Sequence, residues 1–261
     1  MAAARIAWEE RGQGPPVLLV MGLGYPRGGW GPARDLLARE FRVLAFDNRG
    51  IGESETPPGP YTTEDMAADA VSVLDAAAVE RAHVVATSLG GMVAQRLALS
   101  HPGRVDRLVL VCTTPGGGEA YPMPDRTLRL FEEAAGLTPA AAMRRFVENA
   151  LSDATVAERP ELVERIYEYR LAHPPDPDGW QAQAAAGAMH DAFARLGELG
   201  CPTLVLHGDE DAVVDVRNAE LLATRVPGAR LELYAGCGHL LFWEEPERFA
   251  RDVGSFLREG L

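Results

Sequence analysis

Lysine is absent from this chain: each of its 25 basic residues is arginine. Against them stand 38 acidic residues, giving a formal net charge of −13. Such an acidic surface repels phosphate backbones, and no basic patch with interleaved aromatics offsets it, which argues against nucleic-acid binding. Also missing is any apolar run of about 18 residues, the length a membrane span needs. The segment Met1–Arg5 lacks the apolar core of a signal peptide, so the expected location is the cytoplasm. Cysteine is scarce. Cys112, Cys201 and Cys237 form an odd, scattered set without a CxxC, which argues against a disulfide framework or a thiolate zinc site. No His/carboxylate cluster has metal-ligand spacing, and we expect neither a metal nor any other cofactor. What remains, 47% hydrophobic and 24% charged over 261 residues, suits a globular protein with a sizeable core.

Short β-rich apolar runs alternate with longer helical patterns, the signature of an α/β protein with a mostly parallel sheet covered by helices. The strand candidates are Val17–Met21, Val43–Phe46, His83–Ala86, Leu108–Val111, Thr203–Leu206 and Arg230–Tyr234. Most are continuous Val/Leu runs, as strands buried on both faces require. Ahead of them only Ile6–Glu9 is left to form a further strand. Helical patterns fill the gaps near Pro32–Glu40, Glu64–Val79, Leu89–Ser100, Val216–Val226 and Pro246–Leu257. Between Val111 and Thr203 the alternation stops. Four helical patterns (Asp125–Ala135, Ala140–Leu151, Glu161–Leu171 and Trp180–Leu196) are punctuated by Gly and Pro clusters. We read residues 119–195 as a helical cap inserted after the sixth core strand and lying over one end of the sheet. Residues 1–118 and 196–261 then form the core domain.

The strongest chemical signal is His83-Val-Val-Ala-Thr-Ser88-Leu-Gly-Gly91, a strand that turns at once into a helix with serine at the apex. A turn this sharp strains the serine backbone and demands small neighbours two residues to either side, here Ala86 and Gly90. At a helix N-terminus the dipole and the free N–H of Leu89 favour developing negative charge. The alternative is a serine N-cap in a dinucleotide-type turn. A serine nucleophile needs a base, and the base needs an orienting carboxylate. The acid-rich loop Asp209–Asp215 follows one strand, and His239 sits in a Gly-rich loop after the next. Both therefore fall at the carboxyl edge of the sheet, together with Ser88. Position alone leaves Asp209, Asp211 and Asp215 as candidate acids.

These segments together resemble the α/β-hydrolase superfamily. Phe46-Asp-Asn-Arg-Gly-Ile-Gly-Glu-Ser54 is similar to its D-x-R-G-x-G-x-S loop, and Pro202–Asp211 to its acid-bearing strand. Gly236–Glu247 resembles its terminal His loop and last helix. The resemblance implies that the acid is the third residue after Gly208, which selects Asp211, and so a triad of Ser88, Asp211 and His239. It also implies an oxyanion hole made by the backbone N–H groups of Leu23 and Leu89. Within the superfamily the text looks most like small capped esterases and enol-lactonases, with cofactor-free perhydrolases near. One departure is plain: the loop after the first buried strand usually reads His-Gly, and here it reads Met21-Gly22-Leu23-Gly24. An N–H does not depend on the missing histidine, although the loop's support then differs.

The implied activity is hydrolysis of a small carboxylic ester or lactone through an acyl-enzyme. The implied partner is that small molecule alone, with no nucleic acid and no membrane; the sequence does not distinguish monomer from homo-oligomer. Pocket candidates are Tyr25, Met189, His190 and Leu240, although a bond from His190 to a neighbour such as Asp191 competes with a pocket role. Trp30, Met92, Phe242 and Trp243 also fall near the expected mouth. His83, His101 and His207 read as structural. Three other readings keep parts of the pattern. A perhydrolase would share the triad, and a ligand receptor would share the fold without turnover. A dinucleotide site would use Gly22-x-Gly24 and Asp47 but fails at its third glycine, where Arg27 stands.

Overall fold

Period-two alternation decides where the core lies. In the computed structural model, which describes residues 4–259, Leu18 and Val20 face one hydrophobic layer while Val17, Leu19 and Met21 face the other. The strands are β1 (Trp8–Arg11), β2 (Pro16–Val20), β3 (Arg42–Phe46), β4 (Ala82–Thr87), β5 (Val105–Val111), β6 (Thr203–Gly208) and β7 (Arg230–Tyr234). They form a seven-stranded sheet in the order β1-β3-β2-β4-β5-β6-β7. Only β1 runs antiparallel, against β3; every other pairing is parallel.

Helices cover both faces. In chain order they are α1 (Pro32–Leu37), α2 (Thr63–Ala76), α3 (Leu89–Ser100), α4 (Asp125–Ala134), α5 (Pro139–Asn149), α6 (Asp153–Glu158), α7 (Pro160–Ala172), α8 (Pro177–Ala188), α9 (Arg217–Arg225), α10 (Leu241–Glu244) and α11 (Pro246–Arg258). Helices α2, α3 and α9 pack on the layer under Leu18, whereas α1, α10 and α11 pack on the layer under Leu19. Helix α2 starts with a capping box: Thr62 Oγ1 accepts the Asp65 N–H at 3.1 Å, and Asp65 accepts the Thr62 N–H at 3.0 Å. No helix among the described residues is long and apolar enough to cross a membrane.

The insertion between β5 and β6 is helical, with three differences from the sequence reading. It follows the fifth strand rather than the sixth, because a single strand, β1, precedes β2. It holds five α-helices rather than four, since the six-residue α6 is too short to show a period. The pattern expected over Trp180–Leu196 stops at Ala188; a bridge between Gly116 and Asp191 and a 3₁₀ turn over Phe193–Glu198 follow. Val147 of α5 and Leu162, Val163 and Ile166 of α7 join one core layer, and Ala182 and Ala186 of α8 join the other. The insertion is thus seated on the core through both layers. Met1–Ala3 and Gly260–Leu261, at the ends of the expected core domain, lie outside the described residues, as does most of the segment read as lacking a signal peptide.

His190, just past α8, is buried at 3% exposure. Its Nδ1 lies 3.1 Å from Thr63 Oγ1, and its Nε2 has no partner among the described residues. Burial, reinforced by Arg96 and opposed by Asp191, pushes its pKa from 6.5 down to about 4. The unfolded chain therefore binds an extra proton between those values, so stability falls as pH drops through this window. The total is about 3 kcal/mol. In His190→Gln the decline of Tm between pH 6.5 and 4.5 should be visibly shallower than in the parent; identical slopes would show that His190 does not govern it.

Candidate active site

The β4–α3 turn places Ser88. Its φ is +55° and ψ −124°, a left-handed conformation that a non-glycine residue adopts only when its surroundings impose it. They do so here. The Ser88 N–H donates to the Val111 carbonyl at 2.9 Å, and Thr113 Oγ1 donates to the Ser88 carbonyl at 2.7 Å. Glycine is required two residues on, since a Cβ on Gly90 would stand 2.2 Å from the Val20 carbonyl oxygen. Leu89 is the first residue of α3, so its N–H has no intrahelical partner. Across from it runs the loop after β2: a Cβ on Gly22 would lie 3.1 Å from Ser88 Cβ. This brings the Leu23 and Leu89 segments to the same serine.

Asp211 lies beyond β6 with its side chain wholly buried. Its Oδ1 accepts the N–H groups of Val213 and Val214 at 2.8 and 2.9 Å. Its Oδ2 lies 2.8 Å from His239 Nδ1 and 3.1 Å from His207 Nε2. Burial alone would push this carboxyl up; the charge of His239 and the hydrogen bonds from both imidazoles outweigh it and hold the group well below the usual carboxylate range. Because Nδ1 of His239 faces a carboxylate it carries the proton, which leaves Nε2 free as a base. The acid and histidine loops are pressed together, with Gly208 so close that a Cβ would meet the Cys237 carbonyl at 2.2 Å. Glu244 fastens the histidine loop to the insertion by accepting from both Gly238 N–H (2.7 Å) and Ser152 N–H (3.0 Å). Of the other candidate acids, Asp209 accepts the Gly236 N–H and Asp215 pairs with Arg217.

Ser88 and His239 both line a cavity of about 870 Å³ between the sheet edge and the insertion, and Asp211 stands behind the histidine. Most of the wall is apolar, with Met92, Phe131, Met143, Phe146, Trp180 and Phe242 contributing. Tyr25 and Leu240 lie in this wall. Met189 and His190 do not. Met189 follows the last turn of α8 and points outward at 59% exposure, while His190 turns inward to Thr63 instead of to the cavity or Asp191. Trp30 and Trp243 belong to the core.

The sequence reading took His207 as structural and did not foresee that its ring faces Asp211. Both neighbours of its Nε2, the Asp211 carboxylate and the Val214 carbonyl at 3.0 Å, are acceptors, so this nitrogen must carry the proton. The i,i+4 spacing of His207 and Asp211 around a tight turn was the available signal. Cys112, His207 and Asp211 lie close enough to share a cation, but their chemistry does not suit one. Burial and the Asp211 charge push the Cys112 thiol up, and each Asp211 oxygen already faces two donors.

The α/β-hydrolase-fold family pattern matches residues 15–246, and the chain belongs to that family. It is a hydrolase of this fold. It is 34% identical to the 2-hydroxymuconate semialdehyde hydrolase of Pseudomonas putida, over 99% of this chain and 92% of that one. Among solved structures it resembles a thermophilic esterase from Thermogutta terrifontis, with TM-score 0.84, 31% identity and coverage of 98% and 94%. The enol-lactonase from Burkholderia xenovorans superposes with TM-score 0.86 at 25% identity, covering 98% and 97%.

This geometry makes Ser88 the residue that an alkyl fluorophosphonate should label. Labelling read by mass spectrometry should vanish in Ser88→Ala and slow by about 10³–10⁴ in Asp211→Asn, where the amide favours the wrong imidazole tautomer. Asp209→Asn and Asp215→Asn should label at nearly the parental rate. Equal slowing in all three would show the acid to be misassigned.

Proposed function

We propose that this chain is a serine hydrolase that cleaves carboxylic esters or lactones bearing apolar substituents. The reading rests on one juxtaposition: a serine at φ +55° and a histidine bonded at 2.8 Å to a buried aspartate share one cavity. Ser88 Oγ attacks the carbonyl carbon while His239 Nε2 takes its proton. The tetrahedral oxyanion is held by the Leu23 and Leu89 N–H groups, and collapse expels the alcohol as His239 returns the proton. Water, activated by the same histidine, then attacks the acyl-Ser88 ester and releases the acid. Asp211 holds the imidazole tautomer and stabilises its protonated form throughout.

Residues 119–195 act as the cap in this reading. Their helices form the far wall of the cavity, exclude water from the acyl-enzyme and set which substituents fit. About 870 Å³ of mostly apolar space favours a medium-length acyl or alkyl group over acetate. One methylene in such a pocket changes selectivity by only about 1–3 kcal/mol, so preference should be graded along a homologous series.

The test is a panel of 4-nitrophenyl esters of increasing acyl length and of γ- and δ-lactones. Values of kcat/KM should rise with chain length before falling, and Ser88→Ala should lower kcat by about 10⁴–10⁶ with an unchanged melting curve. The panel should include 2-hydroxymuconate semialdehyde, the compound in the name of the P. putida relative. Turnover of that compound with every ester and lactone untouched would overturn the ester reading.

A further inference from the structure

Gly24 is gripped at both of its polar groups by side chains from the insertion. Its N–H donates to Gln183 Oε1 at 3.1 Å, and its carbonyl accepts from the Arg170 guanidinium. Gln183 is wholly buried on α8, and Arg170 is 7% exposed on α7. The other end of the Gln183 amide donates to the Arg49 carbonyl at 2.7 Å, so one side chain ties the loop after β2 to the loop after β3. Arg170 also lies over the Tyr25 ring at 3.9 Å. Trp180 closes the remaining side: a Cβ on Gly24 would meet its ring at 2.7 Å, and the φ of +70° there suits glycine.

By contrast, the loop holds itself weakly. Among the described residues the internal backbone bonding of its first part, Met21–Tyr25, is one long contact, from the Tyr25 N–H to the Gly22 carbonyl at 3.5 Å. The preceding anchor is Asn48, which donates to the Met21 carbonyl at 2.8 Å. Leu23 lies between the Asn48 anchor and the Gly24 grip. No histidine supports this loop, since Met21 occupies that place.

We propose that Gln183 and Arg170 are positioning residues for the oxyanion hole: by fixing Gly24 they aim the Leu23 N–H at the reacting carbonyl, so the insertion helps to assemble the catalytic geometry as well as the pocket. This rests on the serine-hydrolase reading above. An oxyanion donor acts only if held where the charge develops, and removing one outright costs about 10²–10³ in kcat. A donor left in place but loosened should cost less, about 10–100-fold.

The experiment uses 4-nitrophenyl acetate, whose acyl group is too small to draw on the pocket wall, with Gln183→Leu and Arg170→Met in the full-length protein. Both should lower kcat about 10–100-fold while KM changes less than about threefold. Arg170→Lys, which keeps a donor, should recover most of the rate. A phenyl trifluoromethyl ketone supplies the second readout. Ser88 Oγ bonds to its carbonyl carbon, the C=O electron pair becomes the oxyanion, and the serine proton passes to His239. Its inhibition constant should rise in each variant by the factor lost in kcat/KM. If Gln183→Leu fails to fold, the Arg170 pair carries the same comparison. The proposal is overturned if kcat is unchanged, or if KM rises alone and ketone affinity is retained, since the two residues would then only contact substrate. An inactive parent enzyme would instead count against the hydrolase reading itself.

Discussion

A carboxylate sealed from solvent is the constraint around which the site is arranged. Burying an unpaired carboxylate costs several kcal/mol, so Asp211 is tolerable only because four N–H groups converge on it. Two come from its own turn, at Val213 and Val214, which follow β6 without room for slack. The other two, from His207 and His239, oblige the ends of β6 and β7 to lie side by side. The parallel pairing of those strands, with Gly208 opposite Tyr234, supplies that juxtaposition. Gly208 and the histidine loop touch through backbone atoms, so a larger residue would separate the carboxylate from the imidazole.

The sheet turns this local requirement into a site. In a parallel sheet every strand ends at one edge, so the turns after β2, β4, β6 and β7 open toward a common space. The strain at Ser88 is maintained by the same device. Its N–H is held by β5 and its carbonyl by Thr113 just beyond that strand, so the turn cannot relax without unzipping the β4–β5 ladder. Strain at the serine and charge at Asp211 are thus borne by neighbouring parts of one hydrogen-bonded sheet.

What the sequence made legible follows from which signals are local. Strand runs such as Val17–Val20, the strand-turn-helix around Ser88 and the glycines after Tyr234 are written in consecutive residues, and the β4, β6 and β7 assignments needed nothing more. Side-chain direction at the end of a helix is not local. Met189 and His190 are adjacent, yet one points to solvent and the other into the core, because α8 ends at Ala188 and the chain then turns to bridge Gly116. Gln183 sits in the Ala-rich stretch Gln181–Met189, whose composition signals a helix and nothing about which loop its amide would reach, 159 residues away in sequence. His207 was nearer to being readable, since its spacing to Asp211 is short, but only the turn geometry shows that its ring curls back onto that carboxylate.

The same distinction bears on how the insertion relates to the core. A cap that merely covered a finished site would contact the core through apolar surface and leave the loops below to hold themselves. Here polar groups cross the boundary in both directions. Glu244 of the core accepts the Ser152 N–H, the Ala150 carbonyl accepts the Leu240 N–H beside His239, and Gln183 and Arg170 reach down to Gly24. Buried polar contacts of this kind are directional, and leaving one partner unmatched costs about 1–3 kcal/mol, whereas apolar packing tolerates sliding. These bonds therefore hold the histidine loop and the Leu23 loop to the same insertion, in one register. Helix α4 is tied to the core in the same way, where buried Thr127 donates to the Ala212 carbonyl beside Asp211, so the insertion is bonded to the acid loop, the histidine loop and the Leu23 loop alike.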